Sequence, residues 1–198
     1  MPVVIACIIG YLLGSIPNGY IVGRLMAGVD VRTVGSGKTG ATNVRRLVGW
    51  KGFFLVLFMD VAKGALAVLL ARWLLPEPNY WAQAAAGVFA VVGHTWPLFL
   101  GFRGGRGLAT GMGALLVMVP LAVLVLAVLG IPLVIISRYI SLGSVTGSAL
   151  APIVVLLLVI FLHEPWAYFV YTLVAALLVI AMHKDNIQRL LQGTERRI

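Results

Sequence analysis

Between Leu108 and Ile136 the chain runs for 29 residues without one charged side chain. Such a run has no place on the surface of a soluble domain, and as a single helix it reaches about 43 Å at 1.5 Å per residue. Five other apolar stretches accompany it, at Val3–Val22, Gly52–Leu75, Tyr80–Leu100, Ser148–Leu162 and Trp166–Met182. None has the one-sided polarity of a helix lying on a soluble core. A backbone crossing lipid must satisfy its own polar groups, which selects helices. Composition agrees: 61% of residues are hydrophobic and 11% charged, with a mean hydropathy of +1.05, against about 25% charged in soluble domains. A soluble globular enzyme, a disordered chain and a nucleic-acid-binding module are excluded, so no nucleic acid partner is expected. The reading is an all-α polytopic membrane protein forming one integral membrane domain over residues 1–198.

The few charges then report sidedness. Arg24, Arg32, Lys38, Arg45, Arg46 and Lys51 follow the first span, and Arg103 and Arg106 follow the third. Lys184, Arg189, Arg196 and Arg197 follow the last. The Pro76–Asn79 and His163–Pro165 turns hold only Glu77 and Glu164. The basic loops are expected in the cytoplasm, with the N-terminus outside and the C-terminus inside. Parity settles the long run. One crossing from Leu108 to Ile136 strands Arg138 and the basic tail outside, whereas a short hairpin broken near Gly130–Pro132 returns both. Seven transmembrane helices are predicted: five full spans plus the two arms of the hairpin. Cys7, the single cysteine, follows no basic segment that would mark a lipoprotein signal, and it reads as apolar packing.

Four polar segments fall on the basic face: Gly35-Ser-Gly-Lys-Thr-Gly-Ala-Thr-Asn43 with Arg45 and Arg46, Gly101-Phe-Arg-Gly-Gly-Arg-Gly107, Ser137–Ser144, and His183–Leu190. Two are glycine-rich, cationic and placed just before a helix. Glycine lets backbone N–H groups approach an anion, a helix N-terminus adds positive charge, and Arg offers a planar fork to phosphate oxygens. Glycines also serve tight turns, and arginines also set topology. Four segments converging on one face favour an anion site for two phosphates, or for one phosphate moving between two positions. The Gly-Ser-Gly-Lys-Thr string is no nucleotide loop, because the required glycine four residues before Gly37 is Arg32 and no strand precedes it. Asp60 and Lys63 read as an internal ion pair in the second span, His94 as a packing residue, and His163 as a turn residue on the opposite side. His183 and Asn186 share one helical face, suited to a hydroxyl or phosphate oxygen. No metal-ligand set is visible, and neither cofactor nor metal is expected.

Together these segments resemble a known family, the bacterial acyl-phosphate:glycerol-3-phosphate acyltransferases of the PlsY type. The resemblance rests on Gly14-Ser-Ile-Pro-Asn-Gly-Tyr20, the Gly35–Asn43 run, Asp60-x-x-Lys-Gly64, Gly93-His-x-x-Pro97, the glycine run ending at Thr110, and His183-x-x-Asn-Ile-x-Arg-Leu190. It implies a seven-helix protein of the bacterial inner membrane with a cytoplasmic active site. It also implies acyl transfer from acyl phosphate to the 1-hydroxyl of glycerol 3-phosphate, giving lysophosphatidate and phosphate, and a soluble acyl-phosphate synthase as a partner. Carried over by motif position, Ser36, Arg46, Arg106, His183 and Asn186 hold glycerol 3-phosphate with Ser141 or Ser144, and His183, Asn186, Ser36 and Arg46 form the catalytic set. Thr42, Asn43 and the N–H groups of Gly104, Gly105 and Gly107 cradle the acyl phosphate, with Arg45 and Arg103 beside them. Two departures stand out: Lys38 replaces a usual Asn, and Arg103 and Arg106 replace lysines, so those two arginines are open to exchanged roles.

Four residues beyond each histidine stands Phe99, Tyr168 or Gln188, so a His-x4-Asp base pair of the soluble acyltransferase kind is absent. Positioning and electrostatic stabilisation are the expected mechanism, with a substrate phosphate oxygen taking the hydroxyl proton and His183 as the rival base. The alternative function is an organic-anion or phosphate transporter. Transport sites sit near the midplane, often between inverted repeats, and this chain has neither feature. A structural protein whose basic loops hold anionic lipids is the third reading.

Overall fold

The computed structural model describes residues 1–197, and no strand occurs among them. Its helices are α1 (Pro2–Gly14), α2 (Asn18–Ala27), α3 (Ala41–Leu74), α4 (Tyr80–Thr95), α5 (Leu108–Met118), α6 (Pro120–Ser137), α7 (Ile140–Leu162), α8 (Trp166–Met182) and α9 (Lys184–Leu191), with 3-10 turns at Val31–Thr33 and Leu98–Leu100. Five segments are long and apolar enough to cross a membrane, and α8 adds a sixth when taken with α9, which leaves it at a bend of 61°. The short α5 is the remaining apolar helix. The all-helical membrane architecture expected from the sequence is present.

Four boundaries differ from expectation. The first span is not continuous: α1 stops and α2 restarts after Ser15–Pro17, because Pro17 has no N–H to continue the ladder. The carbonyl freed at Ile16 receives Lys63 Nζ at 2.9 Å. The same ammonium lies 3.0 Å from Asp60 Oδ1, which also accepts from Asn18 Nδ2 at 3.0 Å. The expected ion pair thus exists, and its work is to staple a broken helix to α3. His94 Nδ1 stands 3.5 Å from the same carboxylate, an electrostatic neighbour without hydrogen-bond geometry.

The hairpin breaks at Val119–Pro120 and not near Gly130–Pro132. Pro120 takes the first position of α6, where a missing N–H is harmless, while Pro132 is absorbed inside the helix. The fourth apolar span begins at Ile140, eight residues earlier than its hydropathy suggests. Its early serines disguise it, and they are satisfied inside the helix: Ser144 Oγ donates to Ile140 O at 2.9 Å and Ser148 Oγ to Ser144 O at 2.8 Å. Likewise α3 extends back to Ala41 through a break at Gly49, φ +74°, so Thr42–Arg46 ride on a helical turn ahead of the apolar run.

Small residues set the packing. A side chain at Gly10 or Gly14 of α1 would collide with the backbone of Ala86 or Ala90 of α4, the close approach that stands in for hydrophobic driving force in lipid. At the end of α3 far from the four polar segments, Arg72 Nε donates to Gln83 Oε1 at 3.1 Å, and Tyr168 Oη donates to the same oxygen at 2.9 Å. Gln83 Nε2 donates in turn to Asn79 Oδ1 at 2.6 Å. That network ties α3, α4 and α8 together and leaves the other end of the bundle to the loops.

Candidate active site

The four polar segments meet. Residues from each line one cavity of about 240 Å³ at a single end of the bundle: Ser36, Thr42, Arg45 and Arg46 from the first, Arg106 from the second, Ser141 and Ser144 from the third, and His183, Asn186 and Arg189 from the last. Gly35, Ile140, Asp185, Glu195, Arg196 and Arg197 complete the wall. Six arginines face two carboxylates, an excess of four positive charges.

Asn43 builds this site without lining it. Buried at 2% exposure, it donates through Nδ2 to the carbonyls of Val31 (2.9 Å), Val34 (3.0 Å) and Lys38 (3.0 Å). Its Oδ1 accepts from the Ser36 N–H at 2.9 Å and from Arg46 at 3.4 Å. With every donor and acceptor engaged, Asn43 moulds the loop that presents Ser36, and Thr42 beside it takes the cavity position.

The glycine loop behaves in a similar way. The N–H groups of Gly104 and Gly105 donate to Thr95 O at 3.1 Å and His94 O at 3.0 Å, so they are not free for a ligand. A side chain at Gly105 would strike the His94 ring. The packing role of His94 is therefore to seat this loop. Gly107, φ +87°, then turns the chain into α5. Between these glycines Arg106 enters the cavity, whereas Arg103 is exposed and outside its wall. Burial pulls the Arg106 guanidinium below its usual value, with Arg189 close by adding to the effect, and its Nε is buried with no partner among the described residues. A buried donor of this kind awaits an acceptor.

His183 is buried at the α8–α9 bend, and its Nδ1 lies 2.8 Å from Val179 O. A carbonyl only accepts, so Nδ1 carries the proton and Nε2 keeps its lone pair. Burial lowers the imidazole to about 4, with Arg106 pulling the same way against the Val179 bond. His183 is therefore neutral near pH 7. Glu195 is one of the wall residues that sequence reasoning missed. It follows a chain reversal at Gly193, φ +69°, and no motif or helical spacing announces it. Arg189 had a signal, three residues after Asn186 on the same face.

A second cavity of about 620 Å³ lies against the first, sharing Ile140 and Ser144 with it. Its wall is apolar: Trp50, Phe53, Phe54 and Leu57 of α3, Leu115 of α5, Leu126 and Ile131 of α6, and Ala175 and Val179 of α8. A cationic chamber and an apolar one thus share a wall inside the membrane bundle.

Comparison with known proteins gives the family. Residues 4–193 match the glycerol-3-phosphate acyltransferase family. Glycerol-3-phosphate acyltransferase 2 of Moorella thermoacetica is 49% identical over 98% of this chain and 96% of its own length. The glycerol-3-phosphate acyltransferase of Halalkalibacterium halodurans is 42% identical over 95% of this chain and 91% of its own. The crystal structure of PlsY, an integral membrane glycerol 3-phosphate acyltransferase, in its glycerol 3-phosphate form superposes with a TM-score of 0.90 at 36% identity, covering 100% of this chain and 96% of that one. The chain belongs to the PlsY family of glycerol-3-phosphate acyltransferases.

Proposed function

We propose that the protein transfers a fatty acyl group from acyl phosphate to the 1-hydroxyl of glycerol 3-phosphate, releasing 1-acyl-glycerol 3-phosphate and inorganic phosphate. The observation that carries this reading is the junction of the two cavities at Ile140 and Ser144. A three-carbon phosphate and one phosphoryl group suit a polar chamber of about 240 Å³, while a nucleotide-sized donor would lie mostly outside it. The acyl tail occupies the apolar cavity, and its carbonyl carbon comes to rest where the chambers meet. Arg46, Arg106 and Arg189 hold phosphate oxygens, with Arg45, Thr42 and Ser36 on the loop side. Ser141, Ser144, His183 and Asn186 face the glycerol moiety. Asn43 and the Gly104, Gly105 and Gly107 turn contribute by shaping these loops.

In the reaction the acceptor hydroxyl oxygen bonds the acyl carbon and the bond from that carbon to the phosphate oxygen breaks. The hydroxyl proton goes to a substrate phosphate oxygen. A histidine held near a value of 4 is a weak base at neutral pH, which supports positioning over base catalysis for His183. Phosphate leaves readily from a mixed anhydride, so the protein supplies orientation and charge neutralisation. The distribution of basic loops supports an inner-membrane orientation with the cavity toward the cytoplasm, where a soluble acyl-phosphate synthase has access.

The test uses purified protein in detergent with acyl phosphate and glycerol 3-phosphate. Phosphate release that requires both substrates and yields lysophosphatidate supports the reading. Equal turnover with acyl-CoA, or transport in vesicles without phosphate release, overturns it.

A further inference from the structure

Of the two carboxylates on the polar cavity's wall, Asp185 is exposed and Glu195 is not. Glu195 has a side chain only 5% exposed, against the wall of a site otherwise built for anions. Its Oε1 accepts from Ser141 Oγ at 3.0 Å and from Asn186 Nδ2 at 2.8 Å, and its Oε2 accepts from Arg189 Nε at 2.7 Å. The chain reaches this position through the reversal at Gly193, closed by Thr194 N–H donating to Arg189 O at 2.9 Å. Burial opposes the charge, but the bonds from Asn186, Arg189 and Ser141 outweigh it and hold the carboxyl below its usual range. Glu195 is ionised at neutral pH and can only accept.

That fixes the neighbouring amide. Asn186 must turn its NH2 to Glu195, which sends Oδ1 the other way, and Oδ1 is buried with no partner among the described residues. One helical turn earlier, His183 commits its Nδ1–H to Val179 and keeps a lone pair on Nε2. Both residues line the cavity. The arginines there are donors, so the chamber has a donor side suited to phosphate and an acceptor pair suited to hydroxyl groups.

We infer that Glu195 is a positioning residue: it locks Asn186 with its carbonyl oxygen toward the substrate, so that the site requires a hydroxyl at the middle carbon of a three-carbon phosphate. The inference rests on the reading that glycerol 3-phosphate occupies this cavity. The middle hydroxyl then donates to Oδ1 of Asn186, while the reacting hydroxyl keeps its proton for a substrate phosphate oxygen. Dihydroxyacetone phosphate has a ketone at the middle carbon, which sets lone pair against lone pair. A site built to bond a hydroxyl rejects an analogue that lacks it. Without the Glu195 carboxylate, the Asn186 amide is free to turn over and offer N–H to the ketone.

The experiment measures kcat and KM for glycerol 3-phosphate and for dihydroxyacetone phosphate, with acyl phosphate as donor, in the wild type, E195A, E195D and R106A. Melting temperatures in detergent verify that each variant is folded. The wild type is expected to prefer glycerol 3-phosphate by about 100-fold or more in kcat/KM. E195A raises KM for glycerol 3-phosphate about tenfold with kcat within about threefold, and shrinks the preference at least about tenfold, the scale of one charge-anchored hydrogen bond. E195D, which keeps the carboxylate, recovers part of the preference. A merely structural role moves both acceptors together and leaves their ratio alone. An unchanged ratio overturns the inference. So does a lowered KM for glycerol 3-phosphate, which would make Glu195 a competitor for the substrate's donors. If R106A raises that KM while E195A changes nothing, only the role of Glu195 fails. If R106A also leaves it unchanged, glycerol 3-phosphate binds elsewhere and the functional reading falls with it.

Discussion

Arg106 gives the sharpest quantitative handle on the site. Its guanidinium lies in the cavity with Nε buried and unpartnered among the described residues, and the loop carrying it is pinned by two backbone bonds, Gly104 N to Thr95 O and Gly105 N to His94 O. Truncation to alanine therefore removes a ligand group without releasing the loop. A hydrogen bond to a charged group contributes about 1.5–3 kcal/mol, and a fork on phosphate makes up to two, less what the surrounding arginines recover. A loss of about 2–4 kcal/mol in transition-state binding corresponds to a fall of about 30-fold to about 1,000-fold in kcat/KM for glycerol 3-phosphate. Lysine restores the charge but not the fork, so Arg106→Lys recovers all but about tenfold of that loss. Arg103→Ala, two glycines away but exposed and outside the wall, stays within about threefold of the wild type. The assay is steady-state phosphate release in detergent across both substrate concentrations. An Arg103→Ala loss equal to that of Arg106→Ala would refute the assignment of the cavity.

Three further outcomes follow from the geometry. Asp60→Ala leaves the Lys63 ammonium, 5% exposed, without its counter-charge, and destabilises the fold by about 3–5 kcal/mol; thermal unfolding in detergent should show it, with Asp60→Ala/Lys63→Met recovering most of the loss. His183 is held at about 4 when folded, below the ordinary histidine value of about 6.5, so between those values the unfolded chain binds the extra proton and stability falls as pH drops through that window. His183→Gln should flatten this slope and raise KM while keeping most of kcat; a variant that loses nearly all turnover would restore His183 as the general base. Gly147 lines the apolar cavity and a side chain there meets nothing within 4 Å, so Gly147→Phe should cut turnover of long-chain acyl phosphates by about tenfold or more while sparing short-chain donors, the loss of several buried methylene positions at about 0.8 kcal/mol each. Equal effects on both chain lengths would place the tail elsewhere.

Much of this arrangement was legible from charge and hydropathy, since both are set by the same solvent. A charge-free run of 29 residues, from Leu108 to Ile136, has to lie in lipid, and parity among basic loops then forces a return within it. The place of the return was not legible. Pro120 and Pro132 are equal as residues, and only their positions along the backbone ladder, one at a helix start and one inside, separate them. The start of α7 was hidden because Ser141, Ser144 and Ser148 lower the hydropathy of a segment whose helical ladder accepts two of the three hydroxyls. The site shows a subtler limit. Motif membership joins residues that face a ligand to residues that hold the first group in place. Thr42 and Asn43 are adjacent in one motif, yet Thr42 lines the cavity while Asn43 is saturated by five bonds to the loop around it. The glycine run divides in the same way: two amides are committed to α4, and one guanidinium retains an unpartnered donor. Hydrogen-bond saturation separates the two kinds, and it is a property of the folded backbone. By that criterion two of the four buried unpartnered atoms among the described residues belong to the cavity wall, Arg106 Nε and Asn186 Oδ1. Asn186 owes its orientation to Glu195, a residue with no motif of its own.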